Sequence, residues 1–178
     1  MIDFDTNIYY YDKAAASRVV NWIEKYITHV KGELAGQNIK LEKWQKEDII
    51  YPIFGIKRKS DKLRRFRTVY VEIPRKNAKS TLGAAIGLYL LLADGEPGCE
   101  IYSAAGDVFQ ARIIFDIAKG MVDQNADLSA RCTAFQYAIN PKKTKTSFYK
   151  VLSAEAKTKF GFNAHGILFD ELHTQPNR

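Results

Sequence analysis

The residues with the clearest capacity for chemistry are Lys79, Ser80 and Thr81, which lie where a short polar turn meets an apolar run. The preceding Val71–Ile73 has the composition of a strand end, and residues 82–92 have that of a buried helix. A helix start offers unpaired backbone N–H groups and a positive dipole end, which favour a phosphate. Lysine adds a charge for the phosphates, and the next hydroxyl can ligate Mg²⁺. The stretch predicts a phosphate-binding loop.

The usual form of such a loop, G-x-x-x-x-G-K-[ST], is not met in full. With Lys79 as its lysine, the two glycine positions hold Ile73 and Ala78. Glycine is used there because the backbone approaches the phosphate closely and can need a positive φ. Taken alone, the segment is therefore consistent with either a nucleotide site or an ordinary polar helix start.

A second pair of candidate residues, Asp170 and Glu171, follows the apolar run Ile167–Phe169. An apolar strand that ends in two acids supplies the partner that a nucleotide-binding loop requires. Asp170 can hold Mg²⁺, directly or through water, and Glu171 can orient or deprotonate the attacking water. Two surface acids at the end of a buried strand are the alternative interpretation. The presence of the Lys79 loop elsewhere in the chain favours the interpretation of these acids as part of a nucleotide site.

Length and composition fit one globular domain. The chain has 178 residues, 46% of them hydrophobic and 26% charged. No apolar run reaches the ~18 residues of a membrane span, and the N-terminus lacks the pattern of a secretory signal. Cys99 and Cys132 lie in apolar contexts, which predicts reduced core cysteines in a cytosolic protein. The formal charge of +7 is compatible with a polyanionic partner and equally with solubility alone.

The hydrophobic pattern predicts alternating helices and strands. An α/β fold is expected, with a P-loop NTPase-type, largely parallel central sheet flanked by helices, after an N-terminal helical lead-in. Ligands gather at the carboxyl ends of such strands, so Pro74, Ala105 and Asp170 are expected to converge. Helices are predicted at 14–31, 41–51 (ending before Pro52), 80–93 and 108–122, and strands at 53–58, 65–73, 99–105, 131–139, 147–153 and 166–171.

The strands predicted at 53–58 and 65–73 form a basic hairpin around the turn 59–62. It can be a solvated tip or a patch that contacts a phosphate backbone. Its cationic residues are Lys57, Arg58, Lys59, Lys62, Arg64, Arg65 and Arg67.

Several segments, in order, resemble the large terminase subunit of tailed bacteriophages. Residues 74–81 look like its deviant Walker A loop, and Asp170-Glu171 looks like the end of its Walker B strand. The resemblance runs from about Leu41 to the C-terminus. The other similar segments are Trp44-Gln45 with Ile53–Gly55 (its adenine-contacting segment), residues 101–105 with Gln110-Ala111 (its second strand and helix), and residues 148–153 and 161–173 (its approach to Walker B).

The resemblance implies an ATPase motor that uses ATP and Mg²⁺ to drive double-stranded DNA into a procapsid. It also implies a small terminase subunit and a portal protein as partners, a homo-oligomeric ring, and the host cytoplasm as the location. Residues 1–40 would be the lead-in and residues 41–178 the ATPase domain. The family's metal-dependent nuclease region has no counterpart here, so we expect an N-terminal fragment or truncated subunit without nuclease activity and with slow or no ATP hydrolysis of its own.

The resemblance also assigns roles by position. Gln45 is expected to read adenine, Ser80 and Asp170 to hold Mg²⁺, and Glu171 to be catalytic. Arg75 is expected to be catalytic as well, as an arginine finger that acts in cis. The nucleotide-contacting loop residues are Arg75, Lys76, Asn77, Ala78, Lys79, Ser80 and Thr81.

Two other functions remain open from the sequence. Asp170-Glu171-Leu172-His173 looks like a helicase box, which suggests a helicase-like DNA translocase of another family. Ile73 and Ala78 in place of glycines suggest a basic nucleic-acid-binding module that keeps a P-loop fold but does not hydrolyse ATP.

Overall fold

The computed structural model of the chain describes residues 3–74, 76–152 and 163–171. The chain divides into two compact units, the first made of residues 1–25 and 38–74 and the second of residues 26–37 and 75–178. These units do not follow the expected boundary at residue 40, and the division into a lead-in and an ATPase domain stays a prediction.

The first unit contains a long helix and a small sheet. Helix α1 (Lys13–Tyr26) buries Val19 and Ile23 at helical spacing, as the sequence pattern predicts, but it ends earlier than residue 31. Its remaining elements are β1 (Tyr9–Tyr11), a π-helical stretch (Gln45–Ile50), α2 (Tyr51–Gly55) and β2 (Ile56–Arg58), with β1 and β2 paired antiparallel.

The helix predicted to end before Pro52 continues through it, so that prediction is wrong. The Tyr51 backbone N–H donates to the Lys46 carbonyl five residues back, which closes the wide π-helical turn. Pro52 then falls in the first turn of α2. A proline is tolerated there because a first-turn N–H needs no partner within the helix.

The prediction of a second strand in the basic hairpin, at 65–73, is also wrong. Residues 66–74 have no regular secondary structure, and only an isolated bridge between Lys57 and Arg64 remains of the pairing. The turn itself is present, since the Arg58 N–H donates to the Leu63 carbonyl at 2.9 Å. Strand β2 pairs along its length with β1 instead. Residues with strand propensity do not form a strand without a neighbour to pair with.

The second unit holds a five-stranded sheet with helices packed against it. The elements are α3 (Lys79–Leu92), β3 (Glu100–Ala104), α4 (Val108–Gln124), α5 (Ala126–Arg131), β4 (Cys132–Ala134), β5 (Ala138–Pro141), β6 (Phe148–Val151) and β7 (Ala164–Phe169). The strand order is β4-β5-β6-β3-β7. Strand β3 pairs parallel with β6 and β7, whereas β5 pairs antiparallel with β4 and β6. The α/β class is confirmed, and the sheet is mixed rather than largely parallel.

The antiparallel part of this sheet replaces a single predicted strand at 131–139. Strands β4 and β5 are joined by a tight turn in which the Phe135 N–H donates to the Ala138 carbonyl at 2.7 Å. The short helix α5 was not predicted, because six residues are too few to show a helical period. Its start is fixed by the Asn125 side chain, which accepts from the Leu128 N–H.

The core of the second unit lies between the sheet and helices α3 and α4. Tyr149 is completely buried, packs edge-to-face on Phe115 at 5.4 Å, and its hydroxyl lies 2.6 Å from Ser103 Oγ. Cys99 and Cys132 are both buried, and both carry a thiol rather than a disulfide, as predicted. Among the described helices, none combines the length and apolar character that a membrane crossing requires.

Helix α3 packs closely against the sheet at Gly87. A Cβ atom there would lie 2.6 Å from Leu168 Cδ1 and 3.2 Å from a ring carbon of Tyr149. Absence of a side chain therefore sets how closely α3 can lie against β7.

The residue before α3 has a left-handed backbone. Ala78 has φ 56° and ψ 27°, and its carbonyl accepts the first helical hydrogen bond from the Leu82 N–H. A left-handed conformation costs a residue with a Cβ roughly 1–2 kcal/mol but costs glycine little. The phosphate-binding motif therefore prefers glycine at this position because the backbone is left-handed there. Ala78 adopts the same conformation with some backbone strain.

Replacing Ala78 with glycine is expected to stabilise the chain by about 1 kcal/mol, because the left-handed strain disappears. Urea unfolding monitored by circular dichroism measures the change. Ala14→Gly, at an exposed position inside α1, is the matched control and is expected to destabilise by up to about 1 kcal/mol. Equal destabilisation by both substitutions would show that Ala78 carries no strain.

Gly87→Ala is expected to destabilise the second unit by about 1–3 kcal/mol, because the new methyl overlaps Leu168 and Tyr149. Gly83→Ala is the control in the same helix. Its Cβ would lie 3.4 Å from Ile114 Cδ1, an ordinary contact, so the better helix propensity of alanine should leave stability unchanged or higher. The same urea titration compares them, and equal effects would contradict close packing at Gly87.

Candidate functional site

The two acids are placed by the pairing of β7 with β3. These strands are parallel, and the Asp170 N–H continues the ladder by donating to the Ala104 carbonyl at 3.0 Å. The carboxyl ends of β3 and β7 therefore lie side by side, as the sequence predicts for residues 105 and 170. Asp170 is only 5% exposed at this edge.

Lys79 and Ser80, at the start of α3, contact both acids. Lys79 Nζ lies 3.1 Å from Glu171 Oε1 and 3.3 Å from Asp170 Oδ1. The Ser80 hydroxyl donates to Asp170 Oδ2 at 3.3 Å. Residues about 90 positions apart in the sequence thus form one cluster.

In this cluster one ammonium, that of Lys79, faces the two carboxylates of Asp170 and Glu171. The hydrogen bond to Glu171 and the neighbouring charge of Asp170 raise the pKa of Lys79 above its usual value, although partial burial opposes the shift. The ammonium therefore keeps its charge at neutral pH. Its contribution to stability is present below the unfolded pKa of about 10.4 and is lost as the pH rises through the higher folded pKa. Asp170 is buried, and a buried carboxylate needs such a cation.

Backbone strain concentrates at the same place. Among the described residues, the non-glycine positions with positive φ are Lys62, Lys76, Ala78 and Glu171, and the last three belong to the loop or to the end of β7. Residues held in rare backbone conformations cluster at ligand-binding and catalytic sites. The Glu171 N–H also donates to Asp170 Oδ1 at 3.0 Å, which fixes the turn after β7.

The donor set suits Mg²⁺. Ser80 and Asp170 supply a hydroxyl and a carboxylate oxygen, which are hard ligands, and these atoms already lie 3.3 Å apart. Magnesium is commonly held by one or two carboxylates together with substrate phosphates and water. Within the described ranges, three or more His, Cys, Asp or Glu side chains do not gather into a metal cluster, so the protein alone offers only a partial ligand set.

The remaining predicted site residues are not all brought to this cluster. Lys76 and Asn77 lie exposed in the loop, and Thr81 is half-buried in the first turn of α3. Gln45 belongs to the first unit, where it is buried and its side-chain oxygen accepts from the Glu42 N–H at 2.9 Å. Its adenine contact stays a prediction. Arg75 and His173 lie outside the described residues.

Three positioning features of the site were not identified from the sequence. The Ala104 carbonyl holds the Asp170 backbone, the Ser103 hydroxyl near the end of β3 lies against the Tyr149 hydroxyl, and Gly87 lets α3 approach β7. Only Gly87 has a sequence signal, since a glycine inside an apolar helix indicates close packing.

Comparison with known proteins gives consistent results. Residues 43–178 match the family model of the terminase large subunit ATPase domain. The terminase large subunit of Enterobacteria phage HK97 is 31% identical over 161 residues, which cover 86% of this chain and 30% of that protein. The crystal structure of the HK97 bacteriophage large terminase matches with a TM-score of 0.69 and 27% identity, over 86% of this chain and 30% of that one.

These similarities confirm the predicted P-loop NTPase-type α/β fold and the predicted family. The chain spans 30% of the length of the HK97 protein, and the match includes the loop before α3 and both acids after β7. Because the family model covers well over half of its residues, the chain belongs to the terminase large subunit family, within the ATPase domain.

Proposed function

We propose that this chain binds ATP together with Mg²⁺ and hydrolyses it, as the ATPase part of a DNA-packaging motor. The observation that carries the proposal is the contact of Lys79 and Ser80, at the start of α3, with Asp170 and Glu171, at the end of β7. Phosphoryl transfer needs a phosphate cradle, a metal ligand and a group that positions water, and this cluster contains all three.

Lys79 is the phosphate anchor in this proposal. Its ammonium exchanges the carboxylates of Asp170 and Glu171 for phosphate oxygens when the nucleotide enters. The unpaired N–H groups of the first turn of α3 add donors and the positive end of the helix dipole. Lys76 and Asn77, in the loop, and Thr81, in the first turn of α3, supply weaker polar contacts.

Ser80 and Asp170 would hold the metal ion, which would neutralise charge on the phosphates. Glu171 is 35% exposed at its side chain, so a water molecule can reach it. Its carboxylate takes a proton from that water as the oxygen attacks the γ-phosphorus and the bond to the ADP oxygen breaks.

Two further contacts follow from family membership rather than from described geometry. Arg75, in the loop itself, is proposed to stabilise charge on the γ-phosphate in cis. Gln45 is proposed to recognise adenine with its side-chain amide.

Movement of double-stranded DNA is proposed for the full-length subunit. In that setting we propose a ring of subunits that works with a small terminase subunit and a portal protein at the procapsid. These partners rest on the family alone.

Lys79→Ala is expected to weaken ATP binding at least about 30-fold, because loss of one member of a desolvated charge pair costs roughly 2 kcal/mol or more. Titration of a fluorescent ATP analogue in the presence of Mg²⁺ measures the affinity. Lys119→Ala is the matched control, since Lys119 pairs with Asp123 on α4 at 2.6 Å and has no part in the site. Its affinity should equal that of the unmodified chain.

Unchanged affinity in Lys79→Ala would contradict the proposed site. A second measurement, phosphate release with and without DNA in the full-length subunit, separates a motor from a binding module. Mg²⁺-dependent ATP binding without any turnover would favour the non-hydrolysing module.

A further inference from the structure

The positive charge of this chain is concentrated in one short segment. The whole chain has 27 basic and 20 acidic residues, a net charge of +7. Residues 57–67, here called the cationic turn, hold seven Lys or Arg residues and one Asp, a net charge of +6. The rest of the chain has 20 basic against 19 acidic residues, a net charge of +1. Charge concentrated in this way creates a local positive potential that attracts anions.

The backbone of the cationic turn is held in a defined shape. The Lys62 N–H donates to the Arg58 carbonyl and the Arg65 N–H to the Ile56 carbonyl, both at 2.9 Å. The Lys59 N–H donates to the Ile8 carbonyl, also at 2.9 Å, which ties the turn to the residue before β1. The cations therefore project from an ordered structure rather than from a flexible tail.

Internal acids neutralise only part of this charge. Lys57 pairs with Asp12 at 2.9 Å, and Arg58 pairs with Asp61 at 2.8 Å. Three other cations of the turn are exposed and have no acid within ion-pair distance in the part of the chain that the structure describes: Lys59, Lys62 and Arg67.

Aromatic rings orient the arginines of the turn. The Arg65 guanidinium lies over the rings of Tyr9 and Phe66, at 4.8 Å and 5.0 Å from their centres. The Arg64 guanidinium lies over Phe54 at 5.4 Å. Such stacking, together with the hydrogen bond from Arg65 Nη1 to the Asp3 carbonyl at 3.3 Å, holds these guanidinium groups in place and keeps their positive charge at the turn.

We propose that the cationic turn binds the phosphate backbone of double-stranded DNA, with Lys59, Lys62 and Arg67 as its principal contacts. The choice of DNA as the polyanion rests on the proposed function. Duplex DNA carries about one charge per 1.7 Å of its axis, a density that several clustered cations can match at once. Contacts to phosphates carry no sequence information, which suits a motor that must move DNA of any sequence.

The test compares two variants of the full chain that lose equal charge. One is Lys59→Gln, Lys62→Gln and Arg67→Gln together. The control replaces three exposed lysines dispersed elsewhere, Lys13, Lys31 and Lys143, with glutamine. Binding to a short fluorescein-labelled DNA duplex is followed by anisotropy over a range of salt concentrations.

The turn variant is expected to bind at least about 10-fold more weakly at low salt. Its plot of log affinity against log salt should lose roughly 0.9 units of slope for each phosphate contact removed, about 2–3 units in total. The control variant should retain most of the affinity at low salt and most of the slope of the salt plot. Affinity for the fluorescent ATP analogue should be unchanged in both variants, since neither alters the loop or the acids.

Equal losses in the two variants would overturn the proposal, because the turn would then act only through net charge. Failure of the unmodified chain to bind the duplex would overturn it as well. So would displacement of the DNA by polyglutamate at the same charge concentration, which would indicate an acidic protein as the partner. The ATP titration tests the proposed function separately. A failure of DNA binding by the cationic turn can therefore be distinguished from a failure of ATP binding at the Lys79 site.

Discussion

The ion pairs between Lys79 and the carboxylates of Asp170 and Glu171 are the interaction on which the candidate site depends. They join the start of α3 to the end of β7. The parallel β3–β7 pairing brings the acids to the edge of the sheet, and the absence of a side chain at Gly87 lets α3 approach the same strand. The buried Asp170 carboxyl group faces the Lys79 ammonium and the Ser80 hydroxyl there.

This arrangement also constrains what the site can bind. Without a ligand, the charge of Lys79 is already satisfied by two carboxylates, and the raised pKa of Lys79 reflects that. In the proposed function, a phosphate takes the place of the carboxylates at Lys79, and the carboxylates then need another cation. A nucleotide that arrives with Mg²⁺ would meet both demands, whereas a bare phosphate would meet only the first. These charges are the physical reason for proposing a ligand that combines an anion with a divalent cation.

Features set by neighbouring residues could be predicted from the sequence, whereas features set by distant segments could not. Lys79, Ser80, Asp170 and Glu171 were predicted because local composition marks a helix start and a strand end. The absence of a strand at 65–73 and the antiparallel pairing of β4 and β5 depend on partners distant in sequence, which local patterns do not specify. The burial of Asp170 likewise results from packing and has no signal of its own.

The central claim is that the lysine and the two acids are the ligand-free form of an ATP site in which Lys79 changes partners. The most direct measurement is ATP affinity and turnover of Glu171→Gln in the full-length subunit, with the exposed Glu33→Gln as control. The account predicts equal or tighter ATP binding, because a competitor for Lys79 loses its charge, and turnover reduced by about 10²–10⁴-fold. Unchanged turnover, or affinity lost in parallel with turnover, would contradict it.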